Sequence, residues 1–325
     1  MKKLYAVILT GVFVLCAASC SSSQPTNLLE STAATTETAP LEPVLILENT
    51  YDGDGSRLSS IKYEYDSAGN LTKQDETNYK GAPVLDSEYL YDDSGNMIKT
   101  VTLMDGKDSY WAEYEYDPYG NVTKKIEYNS DNSIKTWREY EYNLIGNLKK
   151  ESWLDDKGQV KSWHEYETNV LGNITRNTWF DGSGQCWGSV SYAYNSYGNL
   201  LLETNYTGTG KVESYKRYEY DGNGKLIKSY TDVNGSITNL IKNEYDAAGN
   251  LIRTYDYSDG GFGIVYEYEY DDSGNLTMER TSYPDEFSYA DWYSYEYDNN
   301  GNMIKKTCFE PDGSVHSWTE FKYSS

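Results

Sequence analysis

Five tryptophans, Trp111, Trp137, Trp163, Trp292 and Trp318, each stand three residues before the aromatic that opens a Tyr-Glu-Tyr-like triplet. Read as β-strands, these stretches put the tryptophan on the same face as the triplet's glutamate, because side chains alternate with period two. That glutamate recurs as Glu64, Glu115, Glu141, Glu167, Glu219, Glu244, Glu269 and Glu296. A row of indole rings beside carboxylates and long basic side chains is suited to sugars: apolar sugar faces stack on rings while hydroxyls need charged or amide partners. The five tryptophans are therefore the candidate ligand-binding set, with Trp111, Trp137 and Trp163 in consecutive units as the best platform. Cross-strand aromatic rows and Glu/Lys ladders also stabilise sheets that bind nothing. The residues leave both readings open.

Other chemistries find less support. Carboxylate pairs are abundant in a chain with 51 acidic residues, so proximity alone does not make a glycosidase pair. Asp-Gly-Asp-Gly-Ser at Asp52 opens like a calcium loop, but Arg57 stands where the loop needs glycine and Tyr63 where it needs the bidentate glutamate. His164 and His316 share no repeat position, and Cys186 and Cys308 are neither placed as a disulfide pair nor spaced as metal ligands. The expectation is no catalytic residue, no metal and no cofactor: the chain is read as a non-enzyme. A formal charge of −23, from 28 basic and 51 acidic residues, argues against nucleic acid and against anionic lipid as partners of the ordered part.

The elements that would position these residues follow from a repeat. Glycines at 69, 95, 120, 146, 172, 198, 224, 249, 274 and 301 step by 25 to 27 residues, and nine of the ten are followed by asparagine, Lys225 being the exception. In Tyr-Glu-Tyr-Asp-x-x-Gly-Asn the alternating triplet is a strand, the Asp an acceptor for backbone two residues on, and the glycine a source of positive φ. A second turn lies half a repeat away, as in the stretches at Asp155 and Asp181. Counting both flanks gives eleven hairpins from about Val44 to Tyr323. The predicted fold is all-β, an array of about eleven antiparallel hairpins in 26-residue repeats forming an elongated, twisted or spiralling sheet, stabilised between neighbours.

Residues 1–19 read as a lipoprotein signal peptide: Lys2 and Lys3, an apolar run LYAVILTGVFVL, then Ala17, Ala18 and Ser19 before Cys20, the expected lipid attachment site. This stretch is similar to the bacterial lipobox, with Ala17 where Leu is usual. Residues 20–43 are a Ser/Thr/Pro-rich tether and 44–325 the repeat domain. The expected location is the cell envelope, outside the cytoplasmic membrane, with membrane contact through the N-terminal lipid only.

The motif YxYDxxGNL, repeated from roughly Tyr63 to Tyr323, resembles the YD repeats of RHS-type bacterial surface and toxin proteins. The resemblance implies an antiparallel strand-turn-strand sheet that spirals, displayed outside the cell, and associated with carbohydrate binding or with enclosing a toxin. The period here is longer than the usual YD repeat of about twenty residues, and eleven hairpins look too few to close around a polypeptide. A weaker resemblance is to the aromatic cell-wall-binding repeats of Gram-positive bacteria. The functional expectation is a surface-anchored binder of extracellular or cell-wall polysaccharide, with a structural or protein-adhesion module as the alternative.

Overall fold

The computed structural model describes residues 43–104, 107–257, 263–283 and 288–324. The proposed signal peptide, Cys20 and nearly all of the tether lie outside the described residues. The repeat region is 22 antiparallel strands, two for each of the eleven hairpins read from the sequence. Each strand pairs with its sequence neighbours, from β1 (Leu45–Asp52), β2 (Arg57–Tyr65) and β3 (Leu71–Asn78) round to β21 (Met303–Phe309) and β22 (Val315–Tyr323).

The expected open array is corrected at its ends. β1 pairs with β22 over Leu45↔Tyr323 through Asp52↔Ser317, so the sheet closes on itself. Thr50 and Thr319 meet hydroxyl to hydroxyl at 3.0 Å across this seam, and Tyr51 stacks on Trp318 with ring centroids 5.3 Å apart. Eleven hairpins are thus enough to close, because closure leaves no strand edge with unpaired N–H and C=O groups. At about 4.8 Å between strands, 22 strands make a perimeter on the order of 100 Å, whereas about eight strands is the size that side chains alone can fill.

The YD turn is built from its own residues. In the first unit Gly69 N–H donates to the Asp66 carbonyl (3.1 Å) and Asp66 N–H to the Asn70 carbonyl (2.9 Å), a type I turn followed by a left-handed residue. Gly69 sits at φ +86°, which explains why this column is glycine throughout. Asp66 Oδ1 accepts from the N–H groups of Ala68 and Asn70, and Oδ2 accepts from the Asn70 amide (all 2.9 Å). Where Lys225 replaces the asparagine, its Nζ donates instead to the Gly249 carbonyl of the next turn.

A bulge follows each of these turns: Glu64 pairs with Lys73 but Tyr65 with Leu71, leaving Thr72 unpaired, and the same slip recurs at Tyr142↔Leu148 and Tyr297↔Met303. The second tyrosine of the triplet then caps a strand opening. Tyr65 Oη donates to the Leu45 carbonyl, and ten units repeat this bond at 2.6–3.0 Å, ending with Tyr323 Oη on the Met303 carbonyl. Thr168 occupies the column in the remaining unit. Each hydroxyl satisfies a carbonyl beside a bulge, one reason why so tyrosine-rich a sequence forms this wall.

The two faces differ. On one, the first tyrosines of the triplets meet carboxylates, as in Tyr63 Oη on Glu48 at 2.7 Å and Tyr218 Oη on Glu203, and burial pushes these hydroxyls above the ordinary tyrosine range. On the other, Glu64 is held below the usual carboxylate range by Lys62. Both faces carry charge along the strands: in β8 (Ile134–Tyr142), Glu139 and Glu141 lie on one face and Arg138 on the other. Neither arrangement supplies the uninterrupted apolar band that a membrane-spanning barrel presents to lipid.

Candidate functional site

Register confirms the parity on which the candidate site rests. β8 lies between β7 (Val122–Asn129) and β9 (Leu148–Leu154), with Trp137 opposite Ile126 and Leu154, and with Glu139 and Glu141 further along the same face. The glutamates face the basic column directly, Glu115 opposite Lys124, Glu141 opposite Lys150 and Glu296 opposite Lys305. Their N–O separations are 3.0, 3.7 and 3.7 Å. Such exposed pairs contribute little individually, about 0–1 kcal/mol.

The five tryptophans share this face, but each already has neighbours in the wall. Trp111 stacks on Tyr128 at 5.1 Å, Trp163 on Phe180 at 5.0 Å and Trp292 on Phe309 at 3.9 Å, while Trp318 takes Tyr51 across the seam. Lysines cover four of the rings: Lys99 over Trp111, Lys124 over Trp137, Lys150 over Trp163 and Lys305 over Trp318, 5.1–5.9 Å from the centroids. Trp137, which has no stacked ring among the described residues, packs its ring edge against the glycine of the next turn, where a Cβ on Gly158 would lie 3.2 Å away. The Nε1 atoms of Trp137 and Trp318 are buried without a hydrogen-bond partner. Aromatic pairs contribute about 0.5–1.5 kcal/mol and cation–π contacts about 0.5–1 kcal/mol, so this is the chemistry of packing. All five rings are half-buried.

The Asp-rich turns are equally self-contained. Asp52 Oδ1 accepts from the N–H groups of Asp54 and Ser56 at 3.1 and 2.8 Å, so the stretch that opens like a calcium loop is a hairpin turn. The turn carboxylates of Asp66, Asp92 and Asp117 are held below the usual range chiefly by the asparagine side chain four residues on.

The sequence reading missed an aromatic group on the opposite, tyrosine face. In β9, β10 (Val160–Thr168) and β11 (Ile174–Asp181), His164 lies between Trp153 (4.7 Å) and Trp179 (6.0 Å), with Tyr166 at 6.2 Å. Burial among them lowers the imidazole's pKa despite the Glu151 carboxylate opposite. Trp179 has room because Gly188 faces it, where a Cβ would meet the ring at 2.9 Å. The available signal was Trp153 and Trp179 standing one full repeat apart, off the tryptophan column.

The Teneurin YD-shell family model matches residues 45–283. Among solved structures, a TcdB2–TccC3 complex is 17% identical, with 81% of this chain and 15% of that chain covered and a TM-score of 0.37. The Photorhabdus luminescens Tc holotoxin pore is 15% identical, with 82% and 19% covered and a TM-score of 0.31. A porin-like protein from Bacteroides uniformis is 13% identical, with 86% and 96% covered and a TM-score of 0.32. The chain thus spans less than a fifth of the toxin chains it resembles. No curated protein matches. With the family model covering most of the repeat region, and hairpin repeats joined by YD turns throughout, the chain belongs to the Teneurin YD-shell family.

Proposed function

We propose that this protein is a non-enzymatic structural shell of the cell envelope, held to a membrane by lipid on Cys20, whose closed wall is itself the functional element. The observation that carries this reading is the β1–β22 seam, which turns a hairpin array into an enclosure with no free strand edge. The pairing of charged columns within the wall supports it, since those groups are engaged without a ligand.

Carbohydrate binding on the Trp111–Trp137–Trp163 row is the weaker reading, because a sugar stacking there competes with lysines and aromatic partners already over the rings. One substitution separates the two. On the shell reading, Trp137→Ala removes a half-buried ring and costs about 1.5–3 kcal/mol, seen as a melting temperature lower by several degrees, while a glycan array stays blank for both proteins. If Trp137→Ala leaves melting unchanged and abolishes a glycan signal that the parent chain shows, the row is a binding platform.

A further inference from the structure

The ten YD turns obey one rule of geometry but not one rule of composition. Most carry small or polar residues at the two central positions, such as Ser67-Ala68, Asp93-Ser94, Asp272-Ser273 and Asn299-Asn300. Four consecutive turns differ. Tyr119, Leu144, Ile145, Val170, Leu171 and Tyr197 occupy their tips with 73–107% of each residue exposed. In a soluble wall, contiguous large apolar residues so fully in water mark a surface meant to be covered.

These turns are neighbours in space. A Cβ on Gly172 would lie 3.3 Å from the Asn147 side chain of the preceding turn, and one on Gly198 3.9 Å from Asn173. Tyr119 and Leu144 line one groove. The arc has also lost charge. Its last three turns open with Asn143, Asn169 and Asn195, where the other seven open with aspartate. Turn geometry does not demand that change: Asn143 Oδ1 accepts from the Ile145 and Asn147 N–H groups at 3.0 Å, as Asp66 does from Ala68 and Asn70. What the asparagines change is the charge.

We infer that this arc of the rim inserts shallowly into a lipid bilayer. Three observations select that occupant. The tips stand side by side along the rim, about 9–10 Å apart from one hairpin to the next, with only a shallow, open groove between Tyr119 and Leu144, which suits a deformable surface better than a single complementary pocket. The order along the arc places aliphatic Leu144, Ile145, Val170 and Leu171 between Tyr119 and Tyr197, the distribution of hydrocarbon-facing and interfacial residues at membranes. The same chain carries the N-terminal features of a lipid anchor. Loss of the aspartates lowers the cost of bringing an acidic protein to the surface, and neutral lipid is the expected preference because the chain is acidic overall. The inference deepens the envelope reading and rests on it only for the presence of a bilayer.

The test uses the full chain carrying lipid on Cys20, with phosphatidylcholine vesicles, and reads hydrogen–deuterium exchange turn by turn. Flotation reports N-terminal attachment, and local protection reports the rim. Vesicles should slow exchange in the turns at 117–121, 143–147, 169–173 and 195–199 by about tenfold, the effect of removing roughly one large apolar side chain per turn from water. Turns 66–70 and 271–275 should be unchanged. The exposed double variant Leu144→Ser/Leu171→Ser should keep its melting temperature and its flotation and lose the protection. Absence of slowing, uniform slowing in all ten turns, or slowing that follows protein concentration without lipid would overturn the inference; the last would point to a second copy of the chain. Flotation without turn protection would leave the anchor reading standing alone.

Discussion

Removal of residues 303–325, which form β21 and β22, is expected to abolish cooperative melting and to convert the monomer into aggregates. An open array would lose only its end unit, with a melting temperature a few degrees lower. In the closed wall the truncation also strips β1 of its second partner, with the Thr50–Thr319 bond and the Tyr51–Trp318 stack. At about 1 kcal/mol net for each lost backbone bond, plus the packing, the loss is on the order of 5–10 kcal/mol, comparable to the whole stability of a typical domain. It also creates two long unpaired edges, at β1 and at β20 (Ser288–Tyr297), and such edges template association. Thermal melting and sedimentation check the result, and a truncated chain that stays monomeric and melts slightly earlier would favour the open array.

Alkali is expected to unfold the protein cooperatively, with tyrosine ionisation and loss of β-structure in one transition. Burial raises the hydroxyls of Tyr63, Tyr140, Tyr166, Tyr268 and Tyr295 above the free value, Tyr166 to about 12, and nearby carboxylates such as Glu48, Glu151 and Glu279 push in the same direction. A group whose folded pKa is raised contributes stability that is intact below the unfolded value, about 10 for tyrosine. That stability falls as pH rises toward the folded value, because the unfolded chain releases the proton first. The window is therefore about pH 10 to 12. The tyrosine caps on strand carbonyls, such as Tyr65 on Leu45, fail in the same range, since a phenolate cannot donate. Tyrosinate absorbance and circular dichroism should move together. Gradual ionisation near pH 10 with the fold intact would show that the hydroxyls are not structural.

Much of this wall was legible because each feature is local to one hairpin. The period fixed the number of strands, glycine marked the left-handed turn position, and alternation placed Trp137 on the face of Glu141, which the register then sets opposite Lys150. Closure was not legible, because β1 and β22 each read as an ordinary strand at the end of an array and nothing local records that they meet. The tryptophan row was read correctly in position but without its partners. Tyr128, Phe180 and Phe309 each lie 17 residues downstream on the next strand, so pairing strands one by one would have found them. The bulges were hidden because only the ladder shows which residue is skipped, and without them the Tyr65-type caps have no evident target.

The central claim, closure by pairing of the first and last strands, is tested most directly by a cysteine pair at Thr50→Cys and Thr319→Cys in the full chain. These positions face each other in the register and their native hydroxyls meet at 3.0 Å. Under mild oxidation of dilute protein, the account predicts near-complete intramolecular disulfide, seen as a reducible shift in gel mobility and confirmed by peptide mapping. Either single variant should show no such shift. A double variant that remains a reduced monomer, or links only between molecules at raised concentration, would contradict the closed wall.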